Sequence, residues 1–311
     1  MNIFNDFEFM LNDRIAKIRE INKQYDLEHN AYISFSGGKD STILHYLIDL
    51  ALPNNSIPRI YANTGIEFKK VVDFVKDLKK FDNRFIILNQ TKNIKQTLDK
   101  YGYPFKSKEH SLRVQLFNNG SNSFSLKKYI SGFNKDNSIT AFRCPNILLY
   151  QFVERGKYNY SNKCCYKLKK DLIESYIKPI KSICITGMRS EEGGNRSRLG
   201  CTIFSNGKLL KFHPLIVVNN DFENWFIKNY SIKLCSLYYP PFNFKRTGCV
   251  GCPFSLTLQE DLKTMKDLLP NEYKKANILW SYVYNEYRRI GYRLSNREEV
   301  QLSIYDIDSS L

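Results

Sequence analysis

The pattern of apolar and polar positions in the first ninety residues predicts helices alternating with strands. Apolar residues recur every three or four positions through 7–26, which is typical of a helix with one buried face. Short, mainly apolar runs follow at 31–35, 57–62 and 85–88, and helical patterns separate them. This βαβαβ order predicts an α/β fold, with a Rossmann-like parallel sheet covered by helices on both faces.

The later pattern is less regular but adds a strand, a hairpin and a helical C-terminal region. Residues 182–186 form a further apolar run that fits the same sheet. A hairpin is predicted over 201–213, because Asn206-Gly207 is a strong turn dipeptide. Helical patterns at 256–268 and 271–290 indicate a mostly helical C-terminal part.

The stretch from about 102 to 145 interrupts this pattern. It contains clusters of Asn, Ser and Gly that are typical of loops, so we expect an insertion with a short helix. The predicted organisation is an α/β domain over 1–230, which includes this insertion. A CxxC-containing helical region follows over 231–311.

Composition narrows the class of protein. Of the 311 residues, 42% are hydrophobic, which excludes global disorder, and no apolar run approaches the roughly 18 residues of a membrane helix. The segment Met1–Phe7 lacks the basic and apolar regions of a secretory signal, so we expect a cytoplasmic protein. The net charge of +16 fits a polyanionic partner such as DNA or tRNA, or a lysine-rich enzyme without one.

The segment Ser34–Thr42 has the chemistry of a phosphate-binding loop. It follows an apolar strand and opens a helix, whose N-terminal N–H groups and dipole favour anions. Its two glycines allow close backbone approach, its hydroxyls and Lys39 can contact phosphate oxygens, and Asp40 can help to hold Mg²⁺. The loop does not fit the G-x-x-x-x-G-K-[ST] pattern of ordinary NTPases. Its candidate nucleotide-binding residues are Ser34, Ser36, Gly37, Gly38, Lys39, Asp40, Ser41 and Thr42.

A second candidate segment, Asn63-Thr64-Gly65, follows the next predicted strand. Ligands on an open parallel sheet bind beyond the carboxyl ends of its strands. We therefore expect both segments to lie at one edge of the sheet.

Four of the eight cysteines indicate a metal centre. The turn-forming Cys249-x-x-Cys252 is a moderate signal for a thiolate-bound metal, and a thioredoxin-like dithiol is the alternative. The adjacent Cys164-Cys165 suits an iron–sulfur cluster better than a single zinc, or else is a pair of buried apolar residues. Cys144 is a candidate substitute ligand or redox partner.

Together these motifs resemble the phosphoadenosine phosphosulfate (PAPS) reductase family, within the adenine nucleotide alpha hydrolase-like (ATP pyrophosphatase) fold. In the adenylylsulfate (APS) reductases of this family, a Cys-Cys pair and a later C-x-x-C bind a [4Fe–4S] cluster. Here Cys165 and Cys249 are 84 positions apart (249 − 165). The resemblance therefore implies that Cys164, Cys165, Cys249 and Cys252 hold a [4Fe–4S] cluster, with Zn²⁺ as the alternative. The resemblance spans about 30–255 and rests on Ser36–Ser41, Tyr61–Glu67, Lys163–Lys169, Ile185–Glu192, Phe212–Leu215 and Arg246–Phe254.

Two departures separate this chain from the sulfonucleotide reductases. Those enzymes carry a further cysteine near the C-terminus, whereas the last cysteine here is Cys252. They usually have an altered phosphate loop, whereas Ser36–Ser41 is complete. Both features favour relatives that use ATP and a cluster to put sulfur into nucleic acid, such as the ATP-pyrophosphatase-like subunit of DNA phosphorothioation systems.

The resemblance thus implies a sulfurtransferase that converts ATP to AMP and pyrophosphate. Lys39, Asp40 and Arg189 are the predicted catalytic residues, and Gly187 and Arg196 join the nucleotide site. Adenosine is expected near Asn63, Thr64 and Gly65, and a cysteine desulfurase or another sulfur donor is a candidate partner. The alternatives are a thiol-dependent APS or PAPS reductase that releases sulfite, and a non-catalytic nucleotide- and DNA-binding module with structural zinc.

Two basic segments allow a functional or a structural interpretation. Lysines 163, 167, 169 and 170 flank the cysteine pair and can line an acceptor groove or a solvated helix face. The tyrosines and arginines of 282–293 can stack bases, but we favour packing of the tyrosines on the core.

Overall fold

The computed structural model describes residues 3–177 and 179–295. Its strands are β1 (Ala31–Phe35), β2 (Arg59–Asn63), β3 (Phe85–Asn89), β4 (Ile183–Ile185), β5 (Thr202–Ser205) and β6 (Lys208–Phe212). Its α-helices are α1 (Ile3–Tyr25), α2 (Leu27–Asn30), α3 (Lys39–Ala51), α4 (Lys69–Phe81), α5 (Ile94–Tyr101), α6 (Lys108–Asn118), α7 (Phe124–Ser131), α8 (Asp171–Ile177), α9 (Asn220–Asn229), α10 (Leu258–Leu268), α11 (Pro270–Leu279) and α12 (Ser281–Arg289). Short 3-10 helices cover Asn146–Phe152, Ser190–Glu192, Gly194–Arg198 and Ser236–Tyr238, and Tyr166–Lys170 is a π-helical turn.

The described strands form one sheet in the order β3-β2-β1-β4-β6-β5. All neighbouring pairs are parallel except the β5–β6 hairpin, which turns at Asn206-Gly207 as predicted. The predicted α/β fold with a Rossmann-like, mostly parallel sheet is therefore confirmed.

Helices cover both faces of the sheet, which explains why its strands are apolar runs and not alternating patterns. On one face α1, α3 and α9 enclose a large core that includes Ile18, Leu44 and Phe226, each with no exposed surface. On the other face α8 contributes Ile173 and Ile177 to a smaller cluster.

The chain divides into two compact units, each made of two stretches of sequence. One unit comprises 1–90 and 169–248 and contains the sheet. The other comprises 91–168 and 249–311, and its described part is mainly helical. These units therefore interleave along the chain, whereas the predicted domains were continuous stretches.

The region that was predicted as an insertion with one short helix contains two helices, α6 and α7. Helix α6 escapes pattern analysis because its buried face consists of His110, Ser111 and Val114 instead of an apolar stripe. His110 is fully buried, and its ring nitrogens lie 3.0 Å from Tyr129 Oη and 2.9 Å from Gln151 Oε1. Paired polar groups thus replace apolar contacts in this core.

The predicted helix over 271–290 is divided at Trp280 into α11 and α12, where the backbone leaves the helical region (φ −103°, ψ 11°). Elsewhere Asn146–Phe152 is a 3-10 helix, and the π-helical turn Tyr166–Lys170 directly precedes α8. Among the described helices, none has the length and apolarity needed to cross a membrane.

Burial of His110 makes stability depend on pH. Burial holds its pKa at about 4, whereas the unfolded side chain takes up a proton near pH 6.5. The unfolded state therefore binds more protons between these values, and lowering the pH destabilises the fold. We expect this residue to lower the free energy of unfolding by about 2 kcal/mol between pH 7 and pH 5.

Urea denaturation of wild type and His110→Gln at both pH values checks this expectation. The variant should lose about 2 kcal/mol of the pH-dependent change, whatever its stability at pH 7. An unchanged pH dependence in the variant would show that His110 is not held neutral.

Gly187 is predicted to tolerate no side chain. A Cβ atom there would lie 2.6 Å from the backbone oxygen of Asp40, in the first turn of α3. We expect Gly187→Ala to lower the free energy of unfolding by about 1–3 kcal/mol, as overpacking does. The matched control is Gly200→Ala, whose Cβ would meet its nearest atom at 3.7 Å. Equal stabilities of the two variants would contradict the close approach.

Candidate functional site

The carboxyl ends of three neighbouring strands bring the candidate loops to one edge of the sheet. Phe35 of β1 pairs with Tyr61 of β2, and Ile33 pairs with Ile185 of β4. Residues 36–38, 64–67 and 186–189 directly follow these strands. The predicted convergence of these loops is confirmed for the sheet-containing unit.

The turn after β1 requires its first glycine. Gly37 has φ +71°, and a Cβ atom there would lie 2.7 Å from Val71 Cγ1 of α4. Gly38 caps α3, and its carbonyl accepts hydrogen bonds from Ser41 Oγ (3.0 Å) and Thr42 Oγ1 (2.9 Å). Ser41 and Thr42 therefore shape the turn, whereas Ser36 is exposed and lies 3.0 Å from Ser41 through their hydroxyls.

Two residues that sequence analysis missed hold the start of α3. The Lys39 N–H donates to Tyr238 Oη over 2.9 Å. The same phenol oxygen lies 2.8 Å from Thr247 Oγ1. Pairing across about 200 positions leaves no local sequence signal, so only the fold identifies these contacts.

Lys39, Asp40 and Arg189, the three predicted catalytic residues, lie together with a fourth group, Glu223. Arg189 is 6% exposed; its Nε lies 2.9 Å from Asp40 Oδ1 and 3.1 Å from Glu223 Oε1. Lys39 Nζ lies 2.7 Å from Glu223 Oε2. Arg189 also pairs with Glu191 over 2.9 Å. The site is therefore a network of charges in which one carboxylate contacts both candidate phosphate-binding cations.

Glu223 is fully buried, and its environment raises its pKa to about 7. Burial is the main cause and the nearby Asp40 charge adds to it, whereas Lys39 acts in the opposite direction. A sequence signal for this residue exists in α9: Glu223 lies on the buried stripe of Phe222 and Phe226, where a charged residue is unusual.

The turn after β2 is held by a buried carboxylate. Glu67 accepts hydrogen bonds from the Thr64 N–H and Oγ1, each over 2.8 Å, and lies 2.9 Å from Lys169 Nζ. Burial alone would raise the pKa of Glu67, but the Lys169 charge and the Thr64 hydrogen bonds outweigh it and lower that pKa. Gly65 has φ +81°, and Asn63 donates through its side chain to Asn89. This turn is thus preorganised.

Two predicted nucleotide-site residues have other surroundings. Ser34 lies within β1, opposite Ile60 of β2. Arg196 forms an ion pair with Glu192, which also pairs with Arg246. Both stay predictions as nucleotide contacts.

The four predicted metal ligands all belong to the other unit. Cys164 Sγ lies 3.9 Å from Cys165 Sγ, far beyond the roughly 2.05 Å of a disulfide. The pKa of the Cys164 thiol is raised by its hydrogen bond to Cys165, by burial, and by the charges of Cys165, Cys252 and Cys249. Cys165, Cys249 and Cys252 therefore all lie near enough to Cys164 to affect the pKa of its thiol.

The C-x-x-C turn is held by the C-terminal aromatic residues. Trp280 Nε1 donates to the Val250 carbonyl over 2.8 Å, and the Tyr284 hydroxyl donates to that of Gly251. The Tyr287 hydroxyl donates to the Pro253 carbonyl over 2.9 Å. The favoured interpretation of these buried tyrosines, core packing instead of base stacking, is confirmed for Tyr284 and Tyr287.

These thiols fit a metal centre. Four thiolates placed together repel one another unless a cation lies among them, and cysteine thiolates are the usual ligands of iron–sulfur clusters and structural zinc. Cys144, the alternative ligand, is buried beside Tyr129, and burial raises its pKa to about 11.

One curated protein is similar to this chain in sequence. An uncharacterised protein of Methanocaldococcus jannaschii is 30% identical over 289 residues, which is 88% of this chain and 56% of that protein. The chain therefore spans about half the length of the curated relative that it matches.

Several solved structures are similar at low sequence identity. The PAPS reductase of Candida auris is 14% identical, with a TM-score of 0.43 over 75% of this chain and 87% of that one. The FMN adenylyltransferase of Candida glabrata is 13% identical, with a TM-score of 0.46 over 80% and 64%. The U34-tRNA thiolase of Methanococcus maripaludis, solved with its [4Fe–4S] cluster, is 16% identical, with a TM-score of 0.40 over 93% and 82%.

The family itself is established by a match to a sequence model. The model of the phosphoadenosine phosphosulfate reductase domain matches residues 30–255, a range that holds the phosphate loop, the charge network and all four clustered cysteines. This chain belongs to the PAPS reductase domain family.

Proposed function

We propose that this protein cleaves ATP to AMP and pyrophosphate in order to activate an acceptor, and that sulfur then replaces the activated oxygen. The observation that carries the proposal is the network of Lys39, Asp40, Arg189 and Glu223 at the start of α3. The grouped thiols of the second unit support a sulfur-handling role in the same chain.

ATP would bind with its phosphates on Ser36–Ser41, where the first N–H groups and the dipole of α3 attract anions. Lys39 and Arg189 would exchange contacts with carboxylates for contacts with phosphate oxygens. The preorganised turn of Asn63, Thr64 and Gly65 would hold the adenosine. Mg²⁺, when bound with the help of Asp40, neutralises charge on the pyrophosphate leaving group.

The proposed reaction consists of two displacement steps. An oxygen of the acceptor attacks the α-phosphorus, the bond to the bridging oxygen breaks, and pyrophosphate leaves with the electron pair. A sulfur nucleophile from a donor then attacks the acceptor carbon that bears this oxygen, the carbon–oxygen bond breaks, and AMP leaves with the oxygen and the electron pair. Arg189 stabilises the charge that develops on the phosphates, because guanidinium pairs bidentately with phosphate oxygens.

The cysteines would serve the second step. Cys164, Cys165, Cys249 and Cys252 are the residues that would hold a [4Fe–4S] cluster. Such a cluster, when bound, can hold or supply sulfur for the transfer. The burial of Cys164 and the aromatic residues behind the C-x-x-C turn would restrict access of water to this centre.

The cysteine segments lie next, along the chain, to residues that contact the candidate nucleotide loops. Thr247, which contacts Tyr238 behind Lys39, lies two residues before Cys249. Lys169, which pairs with Glu67, lies four residues after Cys165. Each metal-ligand segment therefore continues directly into a segment that supports the nucleotide loops.

Pyrophosphate release from ATP by anaerobically purified protein, with RNA or DNA present, tests the proposal. We expect Lys39→Ala to lower the rate by about a hundredfold or more, because it removes a charge that contacts the leaving group. The matched control is Lys80→Ala, which removes an exposed lysine paired with Asp77 on α4 and should keep the wild-type rate.

Two outcomes would contradict the proposal. One is release of ADP and phosphate, or no ATP cleavage, with every nucleic acid tried. The other is release of sulfite from APS or PAPS with thioredoxin, which would identify a sulfonucleotide reductase.

A further inference from the structure

The positive charge of this protein is concentrated in one part of the chain. The segment 91–168 contains 14 Lys and Arg residues but four Asp and Glu residues, a net charge of +10 out of +16. This segment forms the first stretch of the second unit and ends with the Cys164-Cys165 pair. A polyanionic partner would therefore be attracted to this segment, whereas the other stretch of the same unit, 249–311, has a net charge of −1.

Two tyrosine rings lie beside lysines of this basic segment. Lys167 Nζ lies 5.2 Å from the ring centroid of Tyr101 and 5.4 Å from that of Tyr166. Lys100 Nζ lies 5.4 Å from the Tyr101 centroid. The Tyr166 side chain is 43% exposed. We call these four residues the tyrosine–lysine patch.

The patch has a fixed position beside the thiols. Tyr166 directly follows Cys165 in the chain. The Ser161 hydroxyl donates to the Tyr101 carbonyl, and the Ser161 N–H donates to the Tyr103 carbonyl over 2.9 Å. These bonds tie the segment that carries one tyrosine to the segment that leads into the cysteine pair.

We propose that the tyrosine–lysine patch binds an unpaired nucleotide of a folded RNA, and that this RNA is the acceptor. The inference rests on the proposed function and specifies its substrate class. An aromatic ring can stack on a base only when the face of that base is free, and the two ammonium groups meet the flanking phosphates. Duplex DNA offers phosphates but hides its base faces, whereas folded RNA presents unpaired bases in loops and bulges.

Binding of a labelled RNA hairpin with an unpaired loop, measured by fluorescence anisotropy without ATP, tests this inference. We expect Tyr166→Ala to weaken binding about five- to a hundredfold, and Tyr166→Phe to bind nearly as wild type because its ring can still stack. Lys167→Ala should reduce the slope of log affinity against log salt by about 0.7, the value for one phosphate contact to a single strand. Lys80→Ala, an exposed lysine of the other unit, should leave both measurements unchanged.

Competition experiments distinguish RNA from DNA as the bound nucleic acid. The hairpin should outcompete duplex DNA and single-stranded DNA of the loop sequence. Equal competition by either DNA, wild-type binding by Tyr166→Ala, or equal weakening by Tyr166→Ala and Tyr166→Phe would overturn the inference.

The same preparations separate this inference from the proposed function. Hairpin binding that depends on Tyr166, without pyrophosphate release from ATP, would leave the RNA site standing and refute ATP cleavage. Pyrophosphate release without hairpin binding would refute the RNA site alone.

Discussion

The contact of one buried carboxylate with two cations organises the start of α3 and the turn after β4. Glu223 has no exposed surface, yet it lies within ion-pair distance of both Lys39 and Arg189. These cations come from segments 150 positions apart and would repel each other without the carboxylate between them. Burial raises the pKa of Glu223 to about 7, so the desolvated carboxylate is less stable than an exposed one. A phosphate chain offers more negative charge, so exchange of partners on nucleotide binding is physically reasonable.

Much of this arrangement could be predicted from the sequence. Parallel strands buried on both faces have continuous apolar runs, and such runs located β1, β2 and β3 within two residues. The glycines of Ser36–Ser41 and the strand-to-helix context located the phosphate loop. Glu223, Tyr238 and Thr247 could not be predicted, because their roles depend on contacts between distant segments. Helix α6 was missed because hydrogen-bonded His110 takes the place of an apolar residue.

The cysteine site, too, could be predicted only in part from the sequence. The resemblance to the PAPS reductase family implied one group of four, and the electrostatic influence of the other three on Cys164 agrees with that grouping. The support of the C-x-x-C turn by Trp280, Tyr284 and Tyr287 has no local pattern, since these residues lie about 30 positions further on. Membership of the PAPS reductase family accounts for the nucleotide loop and the cysteines together. The intact phosphate loop, in a chain that also carries the four cysteines, favours the proposed ATP-dependent chemistry over sulfonucleotide reduction.

The metal content of protein purified without oxygen tests most directly whether the four thiols hold a cluster. We expect four iron atoms and four inorganic sulfides per chain, and their loss in Cys249→Ser. Cys201→Ser should keep them, because that cysteine lies in the sheet-containing unit. A single zinc per chain, or iron retained in Cys249→Ser, would contradict the claim that these four thiols form a sulfur-handling centre.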